Sequence, residues 1–354
     1  MPNLDDTKAL LELDTDGMFD AAWSLAEQCT EAWGLSQQVA LPEQSRPVSQ
    51  IVVTGLGGSA IGGDLLRVFG GPLLPVPVLV NRDYTLPRYV GEDTLVFVVS
   101  YSGNTEETLS AYDEAKSKGA TIVAITTGGK LGARAAADGF PVVQVPGGIA
   151  PRSATGYLFI PTLGVLERMG FLRGMQAEVE GLVAYLQELR EKYGPANPTG
   201  ANPAKDLAGK LYGRLPVIWG ASGTTEVVAM RWKGQVNENA KTPAYWNVFP
   251  ELNHNEVVGL EKAENILAST WFVFLHDPDD HPRVKMRMDI TKRMMAKAAG
   301  CTDVEASGPN RLARLYSLIY LGDYTSLYLA ALYGINPGPV KVIDFLKAEL
   351  AKRP

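Results

Sequence analysis

The chain has 354 residues, of which 46% are hydrophobic and 20% are charged, and its formal net charge is −6. This length exceeds what one compact core of ordinary size holds, so two α/β domains are the natural expectation. The sequence has no apolar run of about 18 residues, which argues against a membrane span. The negative net charge argues against general nucleic-acid binding.

The amino terminus and the cysteine content predict a cytoplasmic protein. The opening residues Met1–Asp6 are acidic and have neither the basic region nor the apolar region of a secretion signal. The two cysteines, Cys29 and Cys301, lie far apart and lack the spacing of metal ligands. We therefore expect two buried thiols in a reducing compartment.

The first half of the chain alternates between strand and helix patterns. Helical spacing over Leu10–Trp33 comes first, and a polar, proline-containing stretch, Leu41–Ser49, leads to the first strand candidate, Ile51–Thr54. A glycine-rich turn, Gly55–Gly63, and an apolar helix follow. Further strand candidates alternate with helical patterns, at Val76–Val80, Thr94–Val99, Thr121–Thr126 and Pro141–Val145. This alternation predicts a parallel sheet flanked by helices.

The strand candidate Thr94–Val99 ends in a hydroxyl-rich turn that carries the strongest signal of a site. Ser100, Ser102 and Thr105 surround a glycine there, and a helical pattern, Glu106–Lys118, follows. Free backbone N–H groups and the helix dipole favour an anion at such a turn, and hydroxyls can donate to phosphate oxygens. The turn has no lysine, so a sugar phosphate is a better candidate than a nucleotide.

Two structural alternatives compete with phosphate binding in these turns. Asn104 and Glu107 have the spacing of a capping box, so the hydroxyl-rich turn could only cap its helix. The glycines of Gly55–Gly63 could serve only close packing of a strand on a helix.

The second half repeats the plan of the first after a cluster of helix breakers, residues 193–203, which we interpret as a linker. Pro216–Thr225 corresponds to the first strand and glycine turn, Asn265–Leu275 to the strand at residue 94, and Val284–Ala299 to its helix. The second copy continues with His276–Asp280, whose acidic residues would repel phosphate. We therefore expect one phosphate site, in the first half.

Several motifs, taken together in order along nearly the whole chain, carry a family resemblance. The turn Gly55–Ser59 looks like the glycine signature of phosphoglucose isomerases, and Ser100–Thr108 looks like the phosphate loop of the sugar isomerase (SIS) domain superfamily. The remaining motifs narrow the resemblance, at Leu4–Asp6, Pro151–Tyr157, Asn237–Lys241 and Glu251–Glu256. The chain thus resembles the bifunctional phosphoglucose/phosphomannose isomerase family.

The resemblance implies an α/β fold of two SIS-type subdomains, each a parallel sheet flanked by helices in a flavodoxin-like three-layer sandwich. It implies five segments: a helical amino-terminal segment (1–44), a phosphate-binding first subdomain (45–192), a linker (193–203), a second subdomain (204–335) and a carboxy-terminal helix (336–354) that contributes to the active site. It also implies a homodimer whose active site is shared between subunits.

The family's site residues map onto this chain one by one. Those expected to bind the substrate phosphate are Gly58, Ser59, Ser100, Ser102 and Thr105. The resemblance makes Glu238 the base, Arg152 the group that stabilises the enediolate, and His254, from the neighbouring subunit, the group that opens the sugar ring. A carboxy-terminal lysine that assists ring opening matches Lys347, with Lys341 as the alternative. The stretch Asn336–Val340 lacks the threonine that the family places near this lysine and that bears on mannose-type substrates.

The chemistry of aldose–ketose isomerisation agrees with these residue types. One carboxylate on one face of a cis-enediol can move the proton in both directions. A fixed guanidinium can stabilise the negative charge that develops on the enediolate. Histidine titrates near the working pH, which suits ring opening. No step requires a metal or another cofactor, and the sequence has neither an HExxH motif nor a cysteine cluster.

Two other functions fit the SIS-type pattern less well. A sugar-phosphate sensor of this type usually carries a helix-turn-helix domain, and the segment Leu10–Trp33 is too short and too acidic to supply one. An amidotransferase-like synthase would carry a glutaminase domain with an amino-terminal cysteine, and this chain begins Met1-Pro2. Outside the site we expect His276 and His281 to be solvated. We expect core or dimer packing for four aromatic residues, Trp232, Tyr245, Trp246 and Phe249.

Overall fold

A computed structural model describes residues 3–41 and 46–352 of the chain. Three short helices open it: α1 (Thr7–Leu13), α2 (Met18–Trp23) and α3 (Leu25–Gln38). The helical spacing expected over Leu10–Trp33 is thus divided among three helices. Gly17 adopts a left-handed conformation, and the Asp14 carboxylate accepts a hydrogen bond from the Phe19 N–H (2.7 Å), so a turn separates α1 from α2.

The first sheet is wholly parallel and follows the order β2-β1-β3-β4-β5. Its strands are β1 (Gln50–Thr54), β2 (Val78–Asn81), β3 (Thr94–Val99), β4 (Thr121–Thr126) and β5 (Val142–Gln144). The intervening helices are α4 (Gly58–Gly70), α5 (Glu106–Ser117) and α6 (Gly129–Ala137). The parallel α/β architecture expected from the alternating patterns is confirmed, and the strand order is that of flavodoxin-like sheets.

Two long helices, α7 (Thr155–Arg168) and α8 (Met175–Tyr193), lead to the expected linker. This segment is packed against the body of the protein. The side chain of Asn202 is buried, donates to the carbonyl of Tyr193 (2.9 Å) and caps α9 (Pro203–Leu211) by accepting from its first N–H groups. The segment boundaries expected from the sequence stay predictions, and the boundary at 44/45 lies outside the described residues.

The second sheet repeats the first with four strands, in the order β7-β6-β8-β9. Its strands are β6 (Leu215–Ala221), β7 (Tyr245–Phe249), β8 (Thr270–His276) and β9 (Gly300–Glu305). Its helices are α10 (Glu226–Asn239), α11 (Glu264–Leu267) and α12 (Pro282–Lys292). The expected strand Asn265–Leu275 was wrong at its start, because residues 264–267 form α11 and the Thr270 hydroxyl donates back to the Ile266 carbonyl (2.8 Å).

The last long helix, α13 (Arg311–Leu332), lies at the centre of the molecule. Nearly every residue from Leu312 to Leu332 is buried, and α13 packs against α8, α9 and α10. A helix that is apolar all round belongs inside a large core. A turn at residues 336–338 then leads to α14 (Lys341–Leu350), none of whose residues is buried. No helix within the described residues is long and apolar enough to cross a membrane.

The structure corrects one of the two cysteine expectations. Cys29 is buried as expected, but Cys301 is exposed because it lies on β9, at the edge of the second sheet. Of the four aromatic residues, Trp232 and Phe249 are core residues. Tyr245 and Trp246 are 59% and 38% exposed on the edge strand β7, so dimer packing stays a prediction for these two.

Candidate active site

The two hydroxyl- and glycine-rich turns of the first half meet at one point of the first sheet. β1 and β3 are neighbours, and the chain leaves β1 towards β2 but leaves β3 towards β4, in the opposite direction. Ligands of doubly wound sheets bind in the crevice that such a reversal opens at the carboxyl ends of the strands. A hydrogen bond from the Tyr101 N–H to Ser59 Oγ (3.2 Å) joins the two turns directly.

Hydrogen bonding leaves the protons of two hydroxyl groups at this crevice, Ser59 and Thr105, available to a ligand. Ser59 and Ser100 are buried, Thr105 is half-buried and Ser102 is exposed. Ser59 Oγ accepts from a backbone N–H, so its own proton remains for a ligand. Ser100 donates to Thr105 Oγ1 (3.0 Å), which leaves the Thr105 proton in the same position.

The capping alternative for the Ser100–Thr105 turn was wrong. Thr105, the first residue before α5, makes no side-chain bond to the helix. Asn104 is engaged elsewhere: its amide donates to the Ser102 carbonyl (3.1 Å) and accepts from the Lys130 N–H (3.1 Å). Neither Thr105 nor Asn104 therefore caps α5, and the first N–H groups of this helix remain available to an anion. Glu106 and Glu107 lie on the side of Tyr84. Burial raises the pKa of the Tyr84 phenol, and the charges of these two glutamates raise it further.

Glycine is required at two points because backbone approaches it closely. A Cβ on Gly58 would lie 2.7 Å from the Pro151 carbonyl oxygen, so this glycine lets the start of α4 touch the turn that carries Arg152. Gly103 has a φ of 67°, and a Cβ there would overlap the Gly128 carbonyl. Gly58 thus serves close packing of a helix on a turn, and its expected role at the phosphate stays a prediction. The same contact connects the expected phosphate site to Arg152.

Arg152 lies in a 3₁₀ turn, Pro151–Ser153, and its guanidinium is buried and held on three sides. Nε donates to Asn239 Oδ1 (2.7 Å), and Nη2 donates to the carbonyls of Pro337 (2.8 Å) and Gly338 (2.7 Å). Nη1 lies 3.5 Å from the Glu238 carboxylate. Burial lowers the pKa of Arg152, and the Glu238 charge opposes that shift. The result is a cation fixed at the edge of the crevice.

Glu238 lies in the last turn of α10, where successive side chains point about 100° apart. Its neighbours turn away from it: Asn237 donates to the Thr242 carbonyl (2.8 Å), and Asn239 donates to Ser326 in the core (2.9 Å). Glu238 itself keeps about a third of its side chain exposed, 34%, beside the Arg152 guanidinium. A carboxylate that is reachable and next to a buried cation suits a proton-transferring base.

Behind Arg152 lies a buried polar network that the sequence reasoning missed. Arg231, Gln235 and Asn239 follow each other at spacings of four on α10 and face Asp323 and Ser326 of α13. Arg231 Nη2 donates to both Asp323 oxygens (2.9 and 2.8 Å) and to the Arg152 carbonyl (2.8 Å). Gln235 also donates to Asp323 (2.7 Å). The regular polar spacing along a largely buried helix was the available signal.

Two expected site residues do not reach the Arg152–Glu238 pair within one chain. His254 is exposed at the end of a 3₁₀ turn, Glu251–His254, and Lys347 is exposed on α14. Among the described residues, no hydrogen bond or ion pair joins either of them, or Lys341, to Arg152 or Glu238. Both exposed groups remain free to face another molecule.

In the second sheet, the crevice between β6 and β8 holds a carboxylate of the protein itself. Asp280 is buried, and it accepts hydrogen bonds from the Thr224 hydroxyl and the Asp277 N–H (2.8 Å). Arg314 donates to Asp277 (3.2 Å) and Asp279 (2.5 Å). An internal anion thus fills the equivalent position, which supports a single phosphate site in the first half.

His276, beside this crevice, is buried and lies 2.7 Å from Asp303, so the expectation that it is solvated was wrong. His281 is exposed. Within residues 3–41 and 46–352, no three histidine, cysteine or carboxylate side chains are grouped as metal ligands.

Comparison with known proteins connects both halves to sugar-phosphate chemistry. Residues 46–137 match the family model of the SIS domain, and residues 200–350 match that of the bacterial phospho-glucose isomerase C-terminal SIS domain. A bifunctional phosphoglucose/phosphomannose isomerase from Caldicellulosiruptor bescii is 52% identical over 95% of this chain and 99% of its own length. Another, from Aquifex aeolicus, is 38% identical over 86% of this chain and 92% of its own length.

A solved structure also matches over nearly the whole chain. A glucose-6-phosphate isomerase like protein from Thermus thermophilus superposes with a TM-score of 0.65 at 21% identity, covering 96% of this chain and 99% of its own. At this level of identity the likeness shows the fold.

Proposed function

Because this chain belongs to the family of bifunctional phosphoglucose/phosphomannose isomerases, we propose that it interconverts glucose 6-phosphate and mannose 6-phosphate with fructose 6-phosphate. The chain is an isomerase with two SIS-type subdomains. The reaction exchanges a proton between C1 and C2 of the opened sugar through a cis-enediolate, and it uses only the protein's side chains.

The observation that carries this proposal is the Arg152–Glu238 pair beside the hydroxyl-rich turns. The two side chains approach within 3.5 Å, one buried and the other reachable from solvent. Gly58 brings the start of α4 into contact with the turn of Arg152, so an anchored phosphate would lie at one end of the site and the pair at the other. Binding energy from the non-reacting phosphate can then position the reacting carbons.

Each residue of the pair has a distinct task in the proposed mechanism. The Glu238 carboxylate takes the C2 proton of the open-chain aldose and delivers it to C1, which requires a base on one face of the sugar. The Arg152 guanidinium faces the negative charge that develops on the enediolate oxygens. Because three hydrogen bonds already fix this guanidinium, no reorganisation is needed as the charge forms.

We further infer a homodimer in which His254 of the second copy completes the site and opens the sugar ring. Exposed apolar side chains support this inference, since some lie in the chain segments before and after His254 and others lie along α14. They include Tyr245, Val258, Val342, Phe345 and Leu346, exposed by 59, 62, 83, 67 and 57%. Several large apolar side chains exposed on one short helix are typical of an interface. Lys347, on the same apolar helix, is proposed to assist ring opening.

A cytoplasmic location is part of the same proposal. Cys29 and Cys301 are both free thiols in the structure, which suits a reducing compartment.

A coupled assay tests the proposed reaction. Fructose 6-phosphate is supplied with glucose-6-phosphate dehydrogenase and NADP, and NADPH formation is followed. The same assay, started from mannose 6-phosphate with no other isomerase present, tests the second activity. We expect NADPH formation from both sugars in proportion to the amount of this protein. A purified, folded protein that turns over neither sugar would overturn the proposal.

A further inference from the structure

Lys241 has a backbone conformation that a lysine rarely adopts. Its φ is 56°, and within the described residues Ala263 (57°) is the other non-glycine residue with a positive φ. Glycine adopts this left-handed conformation without the steric cost that a Cβ brings. Strained residues of this kind persist where the surrounding structure holds them and are concentrated at functional sites. Lys241 follows Glu238 by three residues.

The Lys241 ammonium joins two chain segments that meet beside Arg152. It donates to the carbonyl of Glu238, at the end of α10, and to the carbonyl of Pro337 (2.8 Å). The Pro337 carbonyl also accepts from Arg152 Nη2 (2.8 Å). Two cations from different parts of the chain therefore share one backbone oxygen.

The turn at 336–338 is held from its other side by the loop that separates α1 from α2. The Asn336 amide donates to Thr15 (2.7 Å) and to Asp16 (2.6 Å), and a Cβ on Gly338 would overlap the Asp16 side chain. The turn thus lies between this loop and the pair of cations.

The carboxy-terminal helix depends on this turn for its position. The helix α14 begins at Lys341, three residues beyond Gly338, and none of its residues is buried within this chain. Core packing therefore does not place α14, whereas the hydrogen bonds to Pro337 and Gly338 fix the point from which it starts.

We propose that Lys241 is a positioning residue of the isomerase site, which acts with Arg152 to hold the Pro337 carbonyl and thereby fixes the carboxy-terminal segment beside the Arg152–Glu238 pair. The effect on turnover rests on the proposed function, whereas the effect on the carboxy-terminal segment does not. Because Lys241 is exposed, its replacement leaves the core intact.

The test compares Lys241→Gly with Ala263→Gly. Each substitution places glycine where a non-glycine residue has a left-handed backbone, and so relieves the backbone strain. Ala263 is exposed and lies outside the site. Lys241→Gly removes in addition the two hydrogen bonds of the ammonium. We expect both variants to keep or raise the Tm. Lys241→Gly alone should lower kcat by about tenfold or more while KM changes by less than about threefold, since the phosphate anchor is untouched.

Hydrogen exchange, followed by mass spectrometry, supplies the readout that does not require turnover. In Lys241→Gly the amides of residues 336–350 should exchange about tenfold faster than in the wild type, and in Ala263→Gly they should not. Lys241→Arg, which keeps a cationic donor, should recover most of the lost kcat. Unchanged exchange in Lys241→Gly would overturn the positioning role. Faster exchange in Lys241→Gly, together with a wild type that shows no isomerase activity, would instead sustain that role and overturn the proposed function.

Discussion

The guanidinium of Arg152 shows how the candidate site is prepared at the level of single residues. A buried cation without partners would be very costly, and Arg152 meets this cost with bonds to Asn239, Pro337 and Gly338 and with the nearby Glu238 carboxylate. Asn239 has a special place among these partners, because it lies next to Glu238 on α10. The last turn of α10 therefore fixes both the position of Glu238, the proposed base, and the orientation of the Arg152 guanidinium.

Replacing Asn239 by leucine should damage both stability and rate. The Nε group of Arg152 would lose its partner inside the protein, which costs about 1–3 kcal/mol of unfolding free energy. The freed guanidinium would also tilt relative to the substrate, so we expect kcat to fall by about tenfold or more. Asn197→Ala is the control: its amide bonds the carbonyls of Lys192 and Ala201, away from the site. Normal kcat in a folded Asn239→Leu variant would contradict the orienting role.

The sequence indicated Arg152 and Glu238, but not the groups that hold the Arg152 guanidinium in place. Arg152 and Glu238 were expected together on the strength of a family resemblance, and the structure places them 3.5 Å apart. The bond between Arg152 and Asn239 spans 87 residues of sequence, and the bonds to Pro337 and Gly338 span 185 and 186. Local patterns carry no information about such distant pairs. Lys241 ends the motif Asn237–Lys241, yet nothing in the neighbouring sequence indicates its left-handed backbone.

At the scale of elements, burial decided which strands were predictable. β3 and β4 were expected with the bounds that the structure shows, because each is a compact run of apolar and β-branched residues at the centre of the sheet. The edge strands β7 and β9 were missed. Both are largely exposed or half-buried. β9 reads Gly-Cys-Thr-Asp-Val-Glu and has no apolar run, and a polar residue, Asn247, interrupts the apolar residues of β7.

The turn between β3 and α5 offers a test of the phosphate site. Gly103 and Gly139 both have a positive φ, of 67° and 78°, but a Cβ on Gly103 would overlap the Gly128 carbonyl whereas one on Gly139 meets nothing within 4 Å. Each change to alanine costs about 1 kcal/mol of backbone strain. Gly103→Ala must also displace the Ser100–Thr105 turn.

We therefore expect Gly103→Ala to weaken phosphate anchoring selectively. The KM for fructose 6-phosphate should rise by about tenfold, because several hydroxyl and N–H donors move together. Gly139→Ala should leave KM within about twofold of the wild-type value, since its position is distant from the turn. Steady-state kinetics of the two variants measure this difference. An equal KM in both would mean that the turn does not hold the phosphate.

At the scale of the whole molecule, the two sheets share one plan but have different contents. The crevice of the first sheet presents hydroxyl donors, while that of the second is filled by Asp280. The proposed catalytic pair comes from both halves, with Arg152 before the breaker segment and Glu238 after it. His254 and the residues of α14 are instead exposed, which suits the proposal that a second copy completes the site.

Mixed dimers test the shared site. Glu238→Gln and His254→Ala should each abolish turnover when assayed alone. If His254 acts across the interface, a mixed dimer regains one intact site of its two, so random mixing should restore about a quarter of the wild-type activity. Subunit exchange can be verified with differently tagged chains. Verified mixed dimers without activity would show that both residues serve the same chain's site.

The most direct test of the central claim is proton exchange at the sugar carbons in D₂O, with wild type, Glu238→Gln and the surface control Glu188→Gln compared by NMR. The wild type and Glu188→Gln should incorporate deuterium at C2 of glucose 6-phosphate and C1 of fructose 6-phosphate as they interconvert them. Glu238→Gln should incorporate none, while a phosphate-bearing sugar inhibitor still binds it with an affinity near the wild-type value. Deuterium incorporation by Glu238→Gln at a near-normal rate would contradict the assignment of Glu238 as the base.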